Sequence, residues 1–359
     1  MKAICRPAAT EMPIAQWDLE SAQADIWPSS DEDFSPTSTG RTSIAGPCIA
    51  AAQRVRAHTK RGLTMLGSEA DVRDVDLHAH TAASDGEHSP EELVAKAVGA
   101  GLRTLAVTDH DTTAGIAAAV RAGAQSGVEV VPGIELSAEP PRNAAGARGQ
   151  CHILGLFIDP ECPALLQRLR AVLDHRNRRN ALIIDRMRTE LGWDVTLAEV
   201  ENAAGGDVVA RPHFARVIVD KGYTSSMKEA FDLYLGKGGK AYVERDRLNA
   251  EEAIGLIHRA GGVAVLAHPN NLLIAGAALE AYLRELIGLG LDGIEARYNL
   301  HTAEDTARYL ALADRLGLAT SGGSDFHGLS VKSAVRLGHV EGALPAPRSI
   351  LAALRAARP

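Results

Sequence analysis

From residue 72 onward, short apolar runs alternate with alanine-rich stretches whose apolar positions recur every three to four residues. The two periods predict strands alternating with helices. Strands are expected at 72–80, 104–109, 128–136, 152–158, 262–268, 293–297 and 319–324, and helices between most of them at 89–100, 113–126, 250–260, 277–289 and 302–316. Ser89-Pro90-Glu91-Glu92 reads as a helix start. The serine can cap free N–H groups, the proline needs no donor in the first turn, and the carboxylates meet the positive end of the helix dipole. Gly127 and Gly317 stand where helices should stop. Such alternation implies an α/β fold with a mainly parallel sheet and crossover connections, and about seven strands favour closure into a barrel.

One stretch breaks the alternation. Residues 160–248 carry helical patterns only, at 163–191, 196–203, 211–221 and 226–235, followed by the glycine-rich loop 236–239. They read as a helical insertion between the fourth and fifth strands. The expected organisation is therefore a barrel made of 72–159 and 249–345, with the insertion 160–248 capping its active site. Residues 1–65 differ again. Positions 28–48 are rich in Ser, Thr, Pro and Gly, and no long apolar period precedes Ile49. This reads as a disordered or weakly structured extension with a short helix at 46–62, and Met65 is an alternative start. No basic segment leads into a continuous apolar run, so it does not resemble a secretory signal.

Composition narrows the class. The chain has 359 residues, 46% apolar and 23% charged, which describes a soluble globular protein able to bury a core without staples. Cys5, Cys48, Cys151 and Cys162 are too few and too scattered for a disulfide scaffold, so a reducing, cytoplasmic setting is expected. The net charge of −7 excludes a strongly basic nucleic-acid coat but not a local basic cleft. No apolar run approaches the roughly 20 residues of a membrane span. No obligatory protein partner is evident. Aromatic residues make up only 4%, whereas there are 13 histidines.

Placing those histidines reveals the chemistry. The first strand ends Asp76-Leu77-His78-Ala79-His80, and residues two apart on a strand share a face, so His78 and His80 can grip one cation. Asp85 follows shortly. The second strand ends Thr108-Asp109-His110-Asp111, the third carries Glu135, the fourth opens with His152, the fifth ends Ala267-His268-Pro269, and the seventh closes Ser324-Asp325-Phe326-His327. Active sites of α/β barrels are built from the loops after the strands. Mixed imidazole and carboxylate ligands suit Zn²⁺, Mn²⁺ or Fe²⁺, and several adjacent ions where one carboxylate bridges. His58, His88, His175, His258, His301 and His339 read as surface or helix-face residues.

The ordered series HxH…SD, TDHD, GIE, His, AHP and SDFH across residues 74–328 resembles the PHP (polymerase and histidinol phosphatase) superfamily of metal-dependent phosphoesterases. The spacing and insertion are most similar to the branch containing nucleoside 3′,5′-bisphosphate phosphatases and the 5′→3′ exoribonuclease ribonuclease AM. The resemblance implies a distorted seven-stranded β/α barrel holding three divalent ions, Mn²⁺, Fe²⁺ or Zn²⁺. By motif it implies that His78, His80, Glu135 and Asp325 hold the first ion. Glu135 would bridge to a second completed by His152 and His268, and Asp85, His110 and His327 would hold the third. It casts Asp109 as a residue that orients a ligand.

Such a centre is expected to hydrolyse phosphate esters through a metal-activated hydroxide in an in-line displacement. Glu135, Asp325 and His327 are then the candidate catalytic residues, with ligand duty first. Cationic contacts for the substrate are expected from the insertion: the arginine run with Arg176, Arg178 and Arg179, then Arg211, His213 and Lys240. That last stretch resembles the family's substrate-contacting segment. Arg297, at the end of the sixth strand, is a further candidate. The expected substrate is a 3′,5′-bisphosphonucleotide or short 5′-phosphorylated RNA. Histidinol phosphate is an alternative substrate, and a non-catalytic metal-binding scaffold an alternative role. An amidohydrolase, which also begins HxH, would normally bridge its metals with a lysine where Glu135 stands. Tyr242 and Tyr298 are available for base stacking or for core packing, and the scarcity of aromatics favours mononucleotide or very short substrates.

Overall fold

The computed structural model describes residues 72–139, 149–204, 208–244, 247–329, 331–340 and 345–359. The extension expected at 1–65, with its helix at 46–62 and Met65, lies outside them.

All seven expected strands form: β1 (Arg73–Asp76), β2 (Thr104–Val107), β3 (Glu129–Glu139), β4 (Cys151–Leu156), β6 (Val263–Leu266), β7 (Gly293–Tyr298) and β8 (Ala319–Gly323). Two strands of two residues each join them, β5 (Leu248–Asn249) and β9 (Ala346–Pro347). The sheet order is β8-β7-β6-β4-β3-β2-β1-β9, with β5 on β3. The ends of β8 and β1 meet as well. Leu77 N donates to Gly322 O at 3.0 Å, Asp325 N to His78 O at 2.8 Å and His80 N to Phe326 O at 2.9 Å, so the sheet curls into a nearly closed barrel.

The sheet is mainly parallel, as expected, apart from the short β9, antiparallel to β1, and from β4. β4 runs antiparallel to both β3 and β6. Only residues 140–150 separate β3 from β4, fewer than the dozen or more that a parallel crossover requires, so the chain turns back beside its predecessor.

Alternate faces of the strands feed two cores. Leu105, Val107, Ile134, Leu136, Ile153, Leu266 and Ile294 pack outward, against helices α1 (Pro90–Gly99), α2 (Ile116–Ser126), α7 (Ala250–Arg259), α8 (Gly276–Gly288) and α9 (Ala303–Leu316). Val75, Leu77, Ala106, Leu154, Leu156, Val263 and Val265 face the other way and cluster with Ile350, Leu351 and Leu354 of α10 (Ser349–Ala356). The Ser89 start of α1 is a full capping box, with Ser89 Oγ accepting from Glu92 N and Glu92 Oε2 accepting from Ser89 N.

Between β4 and β5 the regular elements among the described residues are all helical. These are α3 (Pro163–Leu191), α4 (Leu197–Ala204), α5 (Arg211–Asp220) and α6 (Met227–Ala230), which runs into a wide helical turn at Phe231–Leu235. They carry their own small core of Ile183, Met187, Val200, Phe214, Ile218 and Leu235. No helix among the described residues is long and apolar enough to cross a membrane.

Candidate metal centre

Strand ends on one side of the barrel bring six histidines and three carboxylates together. Glu135, fully buried on β3, stands at the middle. Its Oε2 lies 3.3 Å from His78 Nε2, 3.3 Å from His80 Nε2 and 3.1 Å from His110 Nδ1. Its Oε1 lies 2.8 Å from His152 Nδ1 and 2.9 Å from His268 Nε2. Asp325 Oδ1 is 3.5 Å from His78 Nε2 and 3.2 Å from His80 Nε2. Asp85 stands 3.3 Å from His327 Nε2, 3.7 Å from His110 Nε2 and 3.7 Å from His80 Nδ1.

Three sets have ligand atoms close enough to share an ion: His78, His80, Glu135 and Asp325; His110, Glu135 and His152; and His80, Asp85, His110 and His327. The first is the set implied by the resemblance. The third adds His80 to Asp85, His110 and His327. In the middle set His110 stands where His268 was expected, although His268 touches the same oxygen of Glu135.

The donor chemistry fits cations. His78 Nε2, both ring nitrogens of His80, His110 Nδ1, Glu135 Oε2 and His268 Nδ1 are buried without a well-formed hydrogen bond among the described residues. Leaving such atoms unsatisfied is costly, and a divalent ion satisfies several at once. The electrostatics reflect the crowding. Burial opposes charge on His78, but Glu295, Glu135 and Asp325 push its pKa well above the ordinary imidazole range. Asp325 and Glu135 overcome the same burial at His80 and lift it to about 9. Burial wins at His152 and His327, pushed down to about 4. Despite burial, Glu135, Asp85 and Asp325 are held well below the usual carboxylate range, mainly by histidines and, for Asp325, first by Lys332.

The supporting residues explain how the side chains are aimed. Asp109 accepts from Thr81 N, Thr81 Oγ1 and Ser84 Oγ, each at 2.7 Å, so it fixes the loop between His80 and Asp85. Glu295 pairs with His78 Nδ1 at 3.0 Å and accepts from His268 N at 2.7 Å. Asp76 joins the ends of β1 and β8 by accepting from Ser324 N at 2.9 Å, Ser324 Oγ at 2.6 Å and Gly338 N at 2.8 Å. Tyr298 and Lys332 both donate to Asp325 Oδ2, at 3.0 and 2.7 Å. Sequence reasoning missed Glu295, Tyr298 and Lys332 as parts of the site. Glu295 lies within β7 and Lys332 in the loop after β8, and neither carries a motif.

The expected substrate contacts are dispersed. Arg211 Nη1 donates to Leu235 O at 3.1 Å, and its guanidinium lies 5.5 Å from the centre of the Tyr242 ring. His213 Nδ1 accepts from Ala210 N at 3.1 Å, and its ring is close enough to feel the charges of Asp85 and Arg176. Arg179 is buried and forks onto Asn180 Oδ1 at 2.6 and 3.2 Å. Lys240 is exposed, and Arg297 is half-buried beside a bulge in β7. Arg176, from the same run, reaches the barrel, where it pairs with Asp111 next to His110. Of the two roles open to Tyr298, packing is the one observed: it is buried with its hydroxyl on Asp325. The expectation for His301 is corrected: it is no surface residue, because its ring lies against Tyr298 and Tyr309, 5.2 and 4.7 Å between centroids.

Comparison with known proteins agrees with this geometry. The family model described as the PHP domain matches residues 76–294. The 3′,5′-nucleoside bisphosphate phosphatase of Chromobacterium violaceum is 33% identical over 293 residues, covering 79% of this chain and 98% of that protein. The 5′-3′ exoribonuclease Rnm of Escherichia coli is 37% identical over 254 residues, covering 70% of this chain and 84% of that protein. Among solved structures, a protein assigned as a metal-dependent phosphoesterase from Bifidobacterium adolescentis superposes with a TM-score of 0.66 at 26% identity, covering 81% of this chain and 98% of that one.

Proposed function

Because the chain belongs to the PHP-domain family, we propose that this metal-dependent phosphoesterase hydrolyses phosphate esters of nucleotides, either 3′,5′-bisphosphonucleotides or short 5′-phosphorylated RNA. One observation carries the metal chemistry: the two oxygens of buried Glu135 face different histidine groups, the arrangement a bridging ligand needs.

In this reading His78, His80, Glu135 and Asp325 hold one ion. Glu135, His152 and His268 hold a second, and Asp85, His110 and His327 a third, with Mn²⁺, Fe²⁺ and Zn²⁺ all compatible with the donors. Bound there, the ions supply an activated water as nucleophile and neutralise charge on the phosphoryl oxygens. The chain's own residues do the rest. His78 Nδ1–H donates to Glu295 and His327 Nδ1–H to the carbonyl of Asp325 at 2.9 Å, so both rings turn a bare Nε2 into the cluster. Both oxygens of Asp325 are engaged, which keeps it on ligand duty and leaves proton transfer to solvent.

Arg211, His213 and Lys240 from the insertion, with Arg179 and Arg297, are the proposed cations for the remaining phosphate groups. With Tyr298 buried and Tyr242 lying under Arg211, aromatic surface for a row of bases is scarce, which favours mononucleotide or very short substrates. A cytoplasmic setting without an obligatory protein partner completes the proposal.

The test is a substrate panel. The full chain loaded with Mn²⁺ is assayed for phosphate and nucleotide release from adenosine 3′,5′-bisphosphate, a 5′-phosphorylated oligoribonucleotide and histidinol phosphate. Turnover of either nucleotide substrate well above histidinol phosphate is expected. Preference for histidinol phosphate overturns the substrate assignment, and hydrolysis of none would leave a non-catalytic metal scaffold.

A further inference from the structure

Asp325 is unusual in how its two oxygens are treated. Oδ1 faces His78, His80 and His327, at 3.5, 3.2 and 3.3 Å. For each of these rings the contact recorded is to Oδ1, whereas Oδ2 accepts from the Lys332 ammonium at 2.7 Å and the Tyr298 hydroxyl at 3.0 Å. A free carboxylate can grip a cation with one oxygen or with two, and it can rotate between these modes. With Oδ2 held by a charge-assisted bond and a phenol, rotation would break both contacts.

Two further features support a built arrangement. Asp325 has φ 54, in the left-handed region that a non-glycine residue adopts at a cost and keeps only when its surroundings over-determine it. The loop after it folds Lys332 back onto the site: Lys332 N donates to Gly328 O at 2.8 Å, and Val335 N to Lys332 O at 3.1 Å. Gly328 makes this turn possible at φ 104, where a Cβ would meet Glu87 at 2.3 Å. The lysine side chain ends 17% exposed.

We propose that Lys332, acting with Tyr298, is a positioning residue that pins Oδ2 of Asp325 and presents Oδ1 alone to the cation held by His78, His80 and Glu135. The proposal rests on the metal-centre reading above. It also assigns a role to Lys332, which no motif marked. A lysine serving only as a buried ion-pair partner would support folding without setting how the cation is bound, and the two roles separate experimentally.

The experiment uses full-length Lys332→Met, Lys332→Arg and Tyr298→Phe, with folding checked by circular dichroism and thermal melting. Each protein is loaded with Co²⁺ alone, and its visible absorption, which reports ligand number and geometry, is recorded without substrate. Turnover is then measured on adenosine 3′,5′-bisphosphate. Lys332→Met should change the Co²⁺ spectrum and lower kcat by about 10–100-fold with KM unchanged, the range for losing an outer partner of a ligand. Lys332→Arg should restore most of both, and Tyr298→Phe should shift the spectrum in the same sense by less. A wild-type Co²⁺ spectrum in Lys332→Met and Tyr298→Phe overturns the proposal, as does an arginine variant no better than the methionine one. If the wild-type chain turns over nothing, the substrate reading fails, and the spectra still decide the role of Lys332. If Lys332→Met does not fold, the arginine and phenylalanine variants carry the decision.

Discussion

At the scale of single residues, the site is organised by carboxylates that each serve several histidines. Glu135 touches five rings, so replacing it by glutamine keeps its volume and removes the charge that holds them. Glu135→Gln should lower phosphate release by more than about 100-fold, because losing even an outer partner of a ligand costs about 10–100-fold. Glu295→Gln should fall in that lower range, read as weaker Mn²⁺ affinity in a metal titration together with reduced kcat. His301 makes a different prediction. Burial holds its pKa below the ordinary 6.5, partly offset by its bond to the Ala296 carbonyl and by Glu295 and Asp305, with His268 also pushing it down. The unfolded chain therefore takes up a proton on this residue before the folded chain does. Its contribution to stability is complete above pH 6.5 and is lost as pH falls from there towards the folded pKa. Urea unfolding of wild type and His301→Gln between about pH 7.5 and 5 should show the wild type losing stability more steeply. Parallel curves would contradict it.

At the scale of elements, the connection between insertion and barrel deserves a number. Arg176 on α3 pairs with Asp111, whose side chain also accepts from Ser137 N at 3.1 Å while its backbone N donates to Glu135 O at 3.0 Å. Asp111 follows His110 and has φ 54, so one residue ties the end of β2 to β3 and to the insertion. The two side chains are 5% and 4% exposed. Removing one partner of such a pair leaves a buried charge, so Arg176→Met should destabilise the protein by about 3–5 kcal/mol in urea unfolding. Adding Asp111→Asn should recover part of that loss, because the two sites are coupled. The reversed strand β4 belongs to this scale too. Its direction places His152, near its start, opposite Ser137 on β3 and within reach of Glu135.

At the scale of the whole molecule, the candidate centre ties together strands that are far apart in sequence. Its residues come from the ends of β1, β2, β6 and β8, from β3 and from the start of β4, so any ion bound there bridges most of the barrel. Ions that bind only the folded state add about 2.7 kcal/mol per site when present at 100 times their dissociation constant. Chelation with EDTA should therefore abolish hydrolysis and lower the thermal midpoint, and Mn²⁺ should restore both. A midpoint indifferent to chelator would mean that the barrel is complete without its ions.

Periodicity and turn chemistry made the seven strands and the long insertion helices legible in the chain, because both are properties of neighbouring residues. The histidine and acid motifs were legible for a related reason: most lie at or just beyond strand ends, and a barrel must bring its strand ends together. What the sequence could not reveal depends on contacts between distant segments. The engagement of Arg176 with the barrel, the burial of His301 and Tyr298, and the placement of Lys332 on Asp325 have no local signature. A side chain's partner is chosen by the packing of the whole fold. The sequence by itself determined which kinds of group would meet; only the tertiary structure decided which oxygen each nitrogen faces, since that choice is made by distances a linear pattern does not contain.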